Sequence, residues 1–109
     1  MPTELLGSLE QVVLLALLRL GPKAYGVTVR REIQKQTRSN ISIGSIYATL
    51  DRLESKGYVS SFLGEPTAER GGRAKKYFRV EAEGRRALAA SQQAIRRLSL
   101  GLNRRFGVS

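Results

Sequence analysis

From Leu9 onward the apolar positions Leu9, Val12, Val13, Ala16, Leu17 and Leu20 follow the 3, 1, 3, 1, 3 spacing of one helical stripe, which predicts a helix from about Gly7 to Leu20. Leu14, Leu15 and Leu18 lie off that stripe. A helix that is apolar on several sides must be covered on several sides. A second subunit is the expected cover, and a central position within one small domain is the alternative. Gly21-Pro22 ends the helix. A second one is predicted from about Ala24 to Gln36, with Tyr25, Val29 and Ile33 as its buried stripe and Arg30 and Arg31 facing solvent.

Ser39-Asn40-Ile41 interrupts the pattern, and SIGSIYATLDRLESKG (42–57) restores it. Ser42 is a good N-cap, because its hydroxyl can accept a free backbone N–H. Ile41 and Ile46 match a hydrophobic staple, and Gly57 suits the position just past the helix end. Ile43, Ile46, Leu50 and Leu53 form the expected buried stripe. The opposite face carries Gly44, Ser45, Ala48, Arg52 and Ser55, a small, polar, faintly basic strip of little use to a protein core.

Beyond Gly57 the period falls to about two. YVSSFL (58–63) and KKYFRV (75–80) read as strands, joined by the long loop GEPTAERGGRA (64–74). A last helix is predicted from about Glu83 to Asn103. Gly84, Leu88, Ser91, Ile95, Leu98 and Leu102 are spaced 4, 3, 4, 3, 4, a heptad seam with Gly and Ser in two slots. Ala87, Ala90 and Ala94 flank the seam and permit close approach. Arg85-Arg86 and Arg96-Arg97 share a face, for which solvation is the default reading.

Composition narrows the chemistry. The 109 residues make one domain, or one domain with an interaction helix. A chain of this size hides roughly 65% of its unfolded surface, so its core is modest and a second subunit would help. The net charge is +10, and fourteen of the 19 basic residues are arginine, which points to a polyanionic partner such as nucleic acid. There is no His and no Cys, so the commonest general base, the best nucleophile and the usual zinc ligands are missing. ERGGR (69–73) lacks the Lys-Ser/Thr ending of a phosphate-binding loop. No enzyme, cofactor or metal site is therefore expected. The apolar run VVLLALL (12–18) is too short to span a bilayer and no secretory segment is evident, so a cytoplasmic protein without membrane contact is expected.

Helix, helix, helix, hairpin, helix is the order of a winged helix-turn-helix followed by a dimerisation helix. The expected fold is mainly α with a small β-hairpin, with a DNA-binding unit over residues 1–81 and a dimerisation helix over 82–109. The second helix of such a motif enters the major groove with its outer face. Small residues there let the backbone approach base edges. The expected DNA-binding residues are Ser42, Gly44, Ser45, Ala48 and Arg52 on that helix and Arg70, Arg73 and Lys75 on the wing. The expected dimer interface is Leu14 and Leu18 of the first helix with Leu88, Ile95, Leu98 and Leu102 of the last.

The stretches LGSLEQVVLLALLRLGPKAYGVTVRREI, SIGSIYATLDRLESKGYVSS and GGRAKKYFRVEAEGRRAL together resemble the PadR family of bacterial transcriptional regulators over nearly the whole chain. The short tail resembles its compact branch with a single C-terminal helix. The resemblance implies a homodimeric repressor on a palindromic operator in double-stranded DNA, dimerised through its first and last helices; a small-molecule inducer that changes the spacing of the two recognition helices is the expected means of release. The family's recognition-helix tyrosine falls on Tyr47, which the resemblance adds to the expected DNA-binding residues, and the Gly-Gly-Arg of its wing falls on Gly71, Gly72 and Arg73. Two departures stand out. Relatives commonly start the last helix with Thr-Pro-Glu-Gly, where this chain has Glu81-Ala82-Glu83-Gly84, so a cap worth about 1 kcal/mol is missing. Some relatives hold flat aromatic drugs between tryptophans; this chain has no Trp, so that mode does not carry over.

Two other readings stay open from the residues alone. A non-specific DNA-coating or architectural protein would suit the charge, although its groove-facing helix would be expected to carry more Lys or Arg. A winged-helix adaptor would turn the same strip towards a protein partner.

Overall fold

The computed structural model describes residues 4–64 and 75–102. Helix α1 spans Ser8–Leu20 and passes through a three-residue 3-10 turn, Gly21–Lys23, to α2, Gly26–Thr37. Helix α3 spans Ile43–Ser55, strands β1 and β2 span Val59–Leu63 and Lys76–Val80, and α4 spans Ala82–Ser99.

Helix α1 is the axle of the fold. It touches α2, α3, α4 and β2, so more than one of its faces is apolar for reasons internal to the chain. Val13 and Leu14 are fully buried, and Ala16 and Leu17 nearly so. This corrects the sequence-based expectation for Leu14, which lies off the main stripe but belongs to the chain's own core and cannot face a second subunit. Leu15 and Leu18 do remain at the surface, 38% and 36% exposed.

Helix α2 starts two residues later than its pattern suggests, because the preceding residues are extended and pair with the hairpin. The Phe78 N–H donates to the Ala24 carbonyl, and Tyr25 bridges Tyr77. Thr28 Oγ1 accepts the Tyr25 N–H at 2.9 Å and closes the first turn. Arg38 ends the helix in the left-handed region, at φ 60°. Arg30 is half-buried rather than solvent-facing. Its guanidinium donates to the Ile41 carbonyl at 2.9 Å and to Asn40 Oδ1 at 3.2 Å, and so clamps the turn between α2 and α3. Arg31 is exposed.

Helix α3 is bounded as its local signals require. Ser42 Oγ accepts the Ser45 N–H at 3.1 Å. Past the other end, Gly57 takes φ 78°, which any other residue would adopt only with strain, and the Tyr58 N–H returns to the Leu53 carbonyl. Ile46, Leu50 and Leu53 are fully buried, joined by Thr49, whose hydroxyl donates to the Ser45 carbonyl. Ile43 is 38% exposed, because it sits on the first turn where the helix overhangs the core.

Strands β1 and β2 pair antiparallel, with Val59 opposite Val80 and Ser61 opposite Phe78. Val59 and Phe78 are the pair's buried anchors. Helix α4 then crosses the hairpin so closely that a Cβ on Gly84 would overlap the Tyr58 carbonyl oxygen. Gly84, Ala87, Leu88 and Ser91 are buried, and Ser91 Oγ accepts the Leu6 N–H at 2.9 Å. The first half of the heptad seam therefore packs within the chain. Leu88, 4% exposed, is core and not available to a second subunit, a second correction to the expected interface. The seam reaches the surface only at Ile95 and Leu98, 55% and 80% exposed, with Leu102 partly so. No side chain caps the start of α4, as the missing Thr implies. Instead the Glu81 N–H donates to the Tyr58 carbonyl, and its carboxylate accepts the Ser60 hydroxyl.

Candidate nucleic-acid interface

Two elements converge on one side of the molecule: the outer face of α3 and the root of the hairpin. On α3, Ser42, Gly44, Ser45, Ala48, Arg52 and Ser55 are all exposed. Their spacing places Gly44, Ser45, Ala48, Arg52 and Ser55 along one strip. Ser42 is partly committed, since its Oγ holds the Ser45 N–H and donates to Ser45 Oγ at 2.9 Å. Asp51 lies on the same strip and is exposed, which sequence reasoning missed. Its carboxylate is an acceptor of the kind a cytosine amino group can meet, and its charge opposes a phosphate.

Tyr47 stands at the edge of this strip, 41% exposed. Its ring rests on α2 at Gly26, where a Cβ would overlap its Cζ and hydroxyl. Glycine at 26 is therefore what lets α3 and the start of α2 meet. The signal in the sequence was the AYG triplet, though its partner was not visible there.

Arg52 is drawn away from the strip. Its Nε lies 3.7 Å from Glu10 Oε2, and its Nη2 is 3.5 Å from Thr49 Oγ1. Glu10, an almost buried carboxylate at the start of α1, also takes Lys56 at 2.9 Å and the Gly7 N–H at 3.0 Å. Burial alone would raise its pKa, but the Lys56 hydrogen bond, the Gly7 N–H and the two nearby cations outweigh it and hold the carboxyl below its ordinary value. Lys56 is held above its ordinary value by its hydrogen bonds to Glu4 and then Glu10. This cluster ties the end of α3 to α1, a link that separation in the sequence hides.

At the hairpin root Lys75 stands beside Tyr25, its Nζ 3.3 Å from the phenol oxygen. Arg70 and Arg73, with Gly71 and Gly72, lie outside the described residues. The structure thus groups the α3 strip, Tyr47 and Lys75 around the N-terminal end of α2, and turns Arg52 partly towards α1. Among the described residues, no cluster of His, Cys, Asp and Glu is arranged to hold a metal ion, and no helix is long and apolar enough to cross a membrane.

Comparison with known proteins gives this arrangement a family. No curated protein matches the chain in sequence. Solved structures share its fold. A PadR-like transcriptional regulator from Bacillus cereus is 23% identical over 93% of both chains, with a TM-score of 0.71. A PadR-like transcription factor from Bacteroides fragilis is 24% identical over 88% of this chain and 87% of its own, with a TM-score of 0.73. A PadR family transcriptional regulator from Eggerthella lenta is 26% identical over 91% and 84%, with a TM-score of 0.69. The model of the transcriptional regulator PadR-like family matches residues 14–90. With that match over most of its length, and the helix-turn-helix and hairpin it covers, the chain belongs to the PadR-like family of transcriptional regulators.

Proposed function

We propose that this regulator is a homodimeric, sequence-specific repressor, without catalytic activity, that works in the cytoplasm on a palindromic operator in double-stranded DNA. The observation that carries the reading is the exposed strip of small side chains on α3, set beside the Tyr47 hydroxyl and the Lys75 ammonium in a chain of net charge +10. Residues 1–81 supply the DNA-binding surface. Ser45, Gly44 and Ala48 approach base edges, while Tyr47, Arg52 and the wing residues Arg70, Arg73 and Lys75 serve the backbone. Short side chains read sequence largely through water and DNA shape.

What the core leaves uncovered supports dimerisation. Leu15 and Leu18 on α1 and Ile95, Leu98 and Leu102 on α4 are apolar surface in a small chain. A twofold pair joined through 82–109 and α1 would set two copies of α3 roughly 34 Å apart, or a multiple of it. A small-molecule inducer would act by changing that spacing.

The rival reading as an architectural DNA-coating protein draws on the charge, and Asp51 on the outer face of α3 speaks against it. The test is a competition titration. The chain's own upstream region, as a labelled duplex, should hold the protein against an excess of random-sequence duplex. Equal displacement by both would favour the coating reading, and no complex with either at low salt would favour a protein-binding adaptor.

A further inference from the structure

Among the described residues each glutamate stands beside a particular cation, and only Asp51, out on the α3 strip, is in no such pair. Glu32 holds Arg19 at 2.8 Å, and Glu4 and Glu10 hold Lys56 at 2.6 and 2.9 Å. Glu54 faces Lys76 at 3.7 Å, Glu81 faces Arg79 at 3.6 Å, and Glu83 pairs with Arg86. Lys75 takes part in none of these pairs. Its ammonium is anchored to a phenol instead, donating to the Tyr25 hydroxyl oxygen at 3.3 Å and standing 4.6 Å from the centre of that ring.

Tyr25 is itself held on every side. Its backbone caps α2 through Thr28, and its strand-like segment bridges Tyr77. Its ring meets that of Tyr77 edge to face at 5.4 Å, and Tyr77 stacks on Phe62 at 5.7 Å. Gly64 passes so close to Tyr77 that a Cβ would overlap the ring, and its N–H donates to the Lys75 carbonyl at 2.8 Å. Both ends of the 64–75 loop are thereby seated on one aromatic stack at the start of α2. The next residue, Gly26, carries Tyr47 of α3.

The direction of the Lys75–Tyr25 hydrogen bond matters. Lysine has only donors, so the phenol oxygen accepts, and the phenol's own proton must point elsewhere. Tyr25 and Lys75 therefore offer a polarised O–H and the remaining ammonium N–H groups side by side, one of them carrying a full charge. Two adjacent donors with net positive charge suit the oxygens of one phosphodiester. Much of the entropy that a free lysine would lose on binding has already been lost to the ring.

We propose that Tyr25 and Lys75 form one DNA-phosphate contact at the wing root, with Tyr25 as both second donor and positioning residue for the ammonium. This rests on the reading of the chain as a DNA-binding regulator, and it adds a backbone contact between α3 and the wing, where the duplex must pass if both engage it.

A double-mutant cycle with a labelled random-sequence duplex tests it, since a phosphate contact needs no operator. Lys75→Ala should lower the log–log slope of affinity against salt by about one unit. Tyr25→Phe keeps the ring and its stacking, so it should leave the slope and the thermal melt unchanged while weakening binding about fivefold. In the Lys75→Ala background the same Tyr25→Phe change should have less than about half that effect, because the two groups act on one phosphate. An unchanged slope in Lys75→Ala, or effects that simply multiply, would overturn the assignment while leaving the regulator reading intact. A wild-type protein that binds no duplex even at low salt would sink both.

Discussion

The ring of Tyr47 rests directly on Gly26, so the helix that presents the outer strip and the helix that supports it meet at a residue with no side chain. Gly26→Ala would place a methyl group on the Tyr47 Cζ and hydroxyl. The expected cost is that of overpacking, about 1–3 kcal/mol in urea unfolding, with DNA affinity falling alongside. Adding Tyr47→Ala should recover most of the stability, since the clash is removed, but not the DNA binding. Recovery of both would mean that Tyr47 only packs.

Glu10 gives stability a definite pH dependence. Its pKa is lowered on folding, so its contribution is present above the ordinary Glu value of 4.5 and is lost as pH falls through the lower folded value. Lys56 has the opposite sense. Its raised pKa stabilises the fold below 10.5, and that contribution is lost as pH rises through the still higher folded value. Glu10→Gln should lower the melting temperature at neutral pH and flatten the acid limb of the profile. A variant whose melting temperature falls in parallel with wild type on acidification would show that Glu10 is not the group responsible.

The parts of this fold legible in the sequence are those fixed by neighbours a few residues away. Ser42, the Ile41–Ile46 pair and Gly57 bound α3 within a residue or two, because caps, staples and left-handed turns are local. Leu14 was misread because a stripe reports one buried side, while α1 is enclosed by α2, α3, α4 and β2. Leu88 was misread for a related reason: a heptad records that a side chain is buried but not whether by its own chain or another. The solvent-facing reading of Arg30 fails, and Glu10 gives no signal at all, because their partners, a carbonyl in the next turn and cations 42 and 46 residues away, follow no periodicity.

The same distinction separates folding from association along α4. Leu98→Arg acts on a side chain that is 80% exposed, so it should yield monomers in sedimentation at micromolar concentration while each monomer still melts cooperatively. Leu14→Ala and Leu88→Ala act inside the core and should each cost about 2–5 kcal/mol of unfolding free energy. A Leu98→Arg protein that stays dimeric would remove the α4 end from the interface.

The outer strip of α3 should separate affinity from preference. Ala48→Leu puts a branched side chain where the backbone must approach base edges, so the preference for the cognate duplex over random duplex should collapse while random-duplex affinity stays nearly level. Asp51→Asn removes the strip's one negative charge, so affinity for random duplex should rise and the salt slope should steepen, again at the expense of preference. Arg73→Ala should instead weaken binding to both duplexes alike and reduce the slope by about one unit, as expected of a wing cation that meets only backbone. The three responses differ in kind because a base edge is read by shape and donor pattern, whereas a phosphate is felt through charge at every site. If Ala48→Leu and Arg73→Ala gave the same profile against both duplexes, α3 would not be the element that reads sequence.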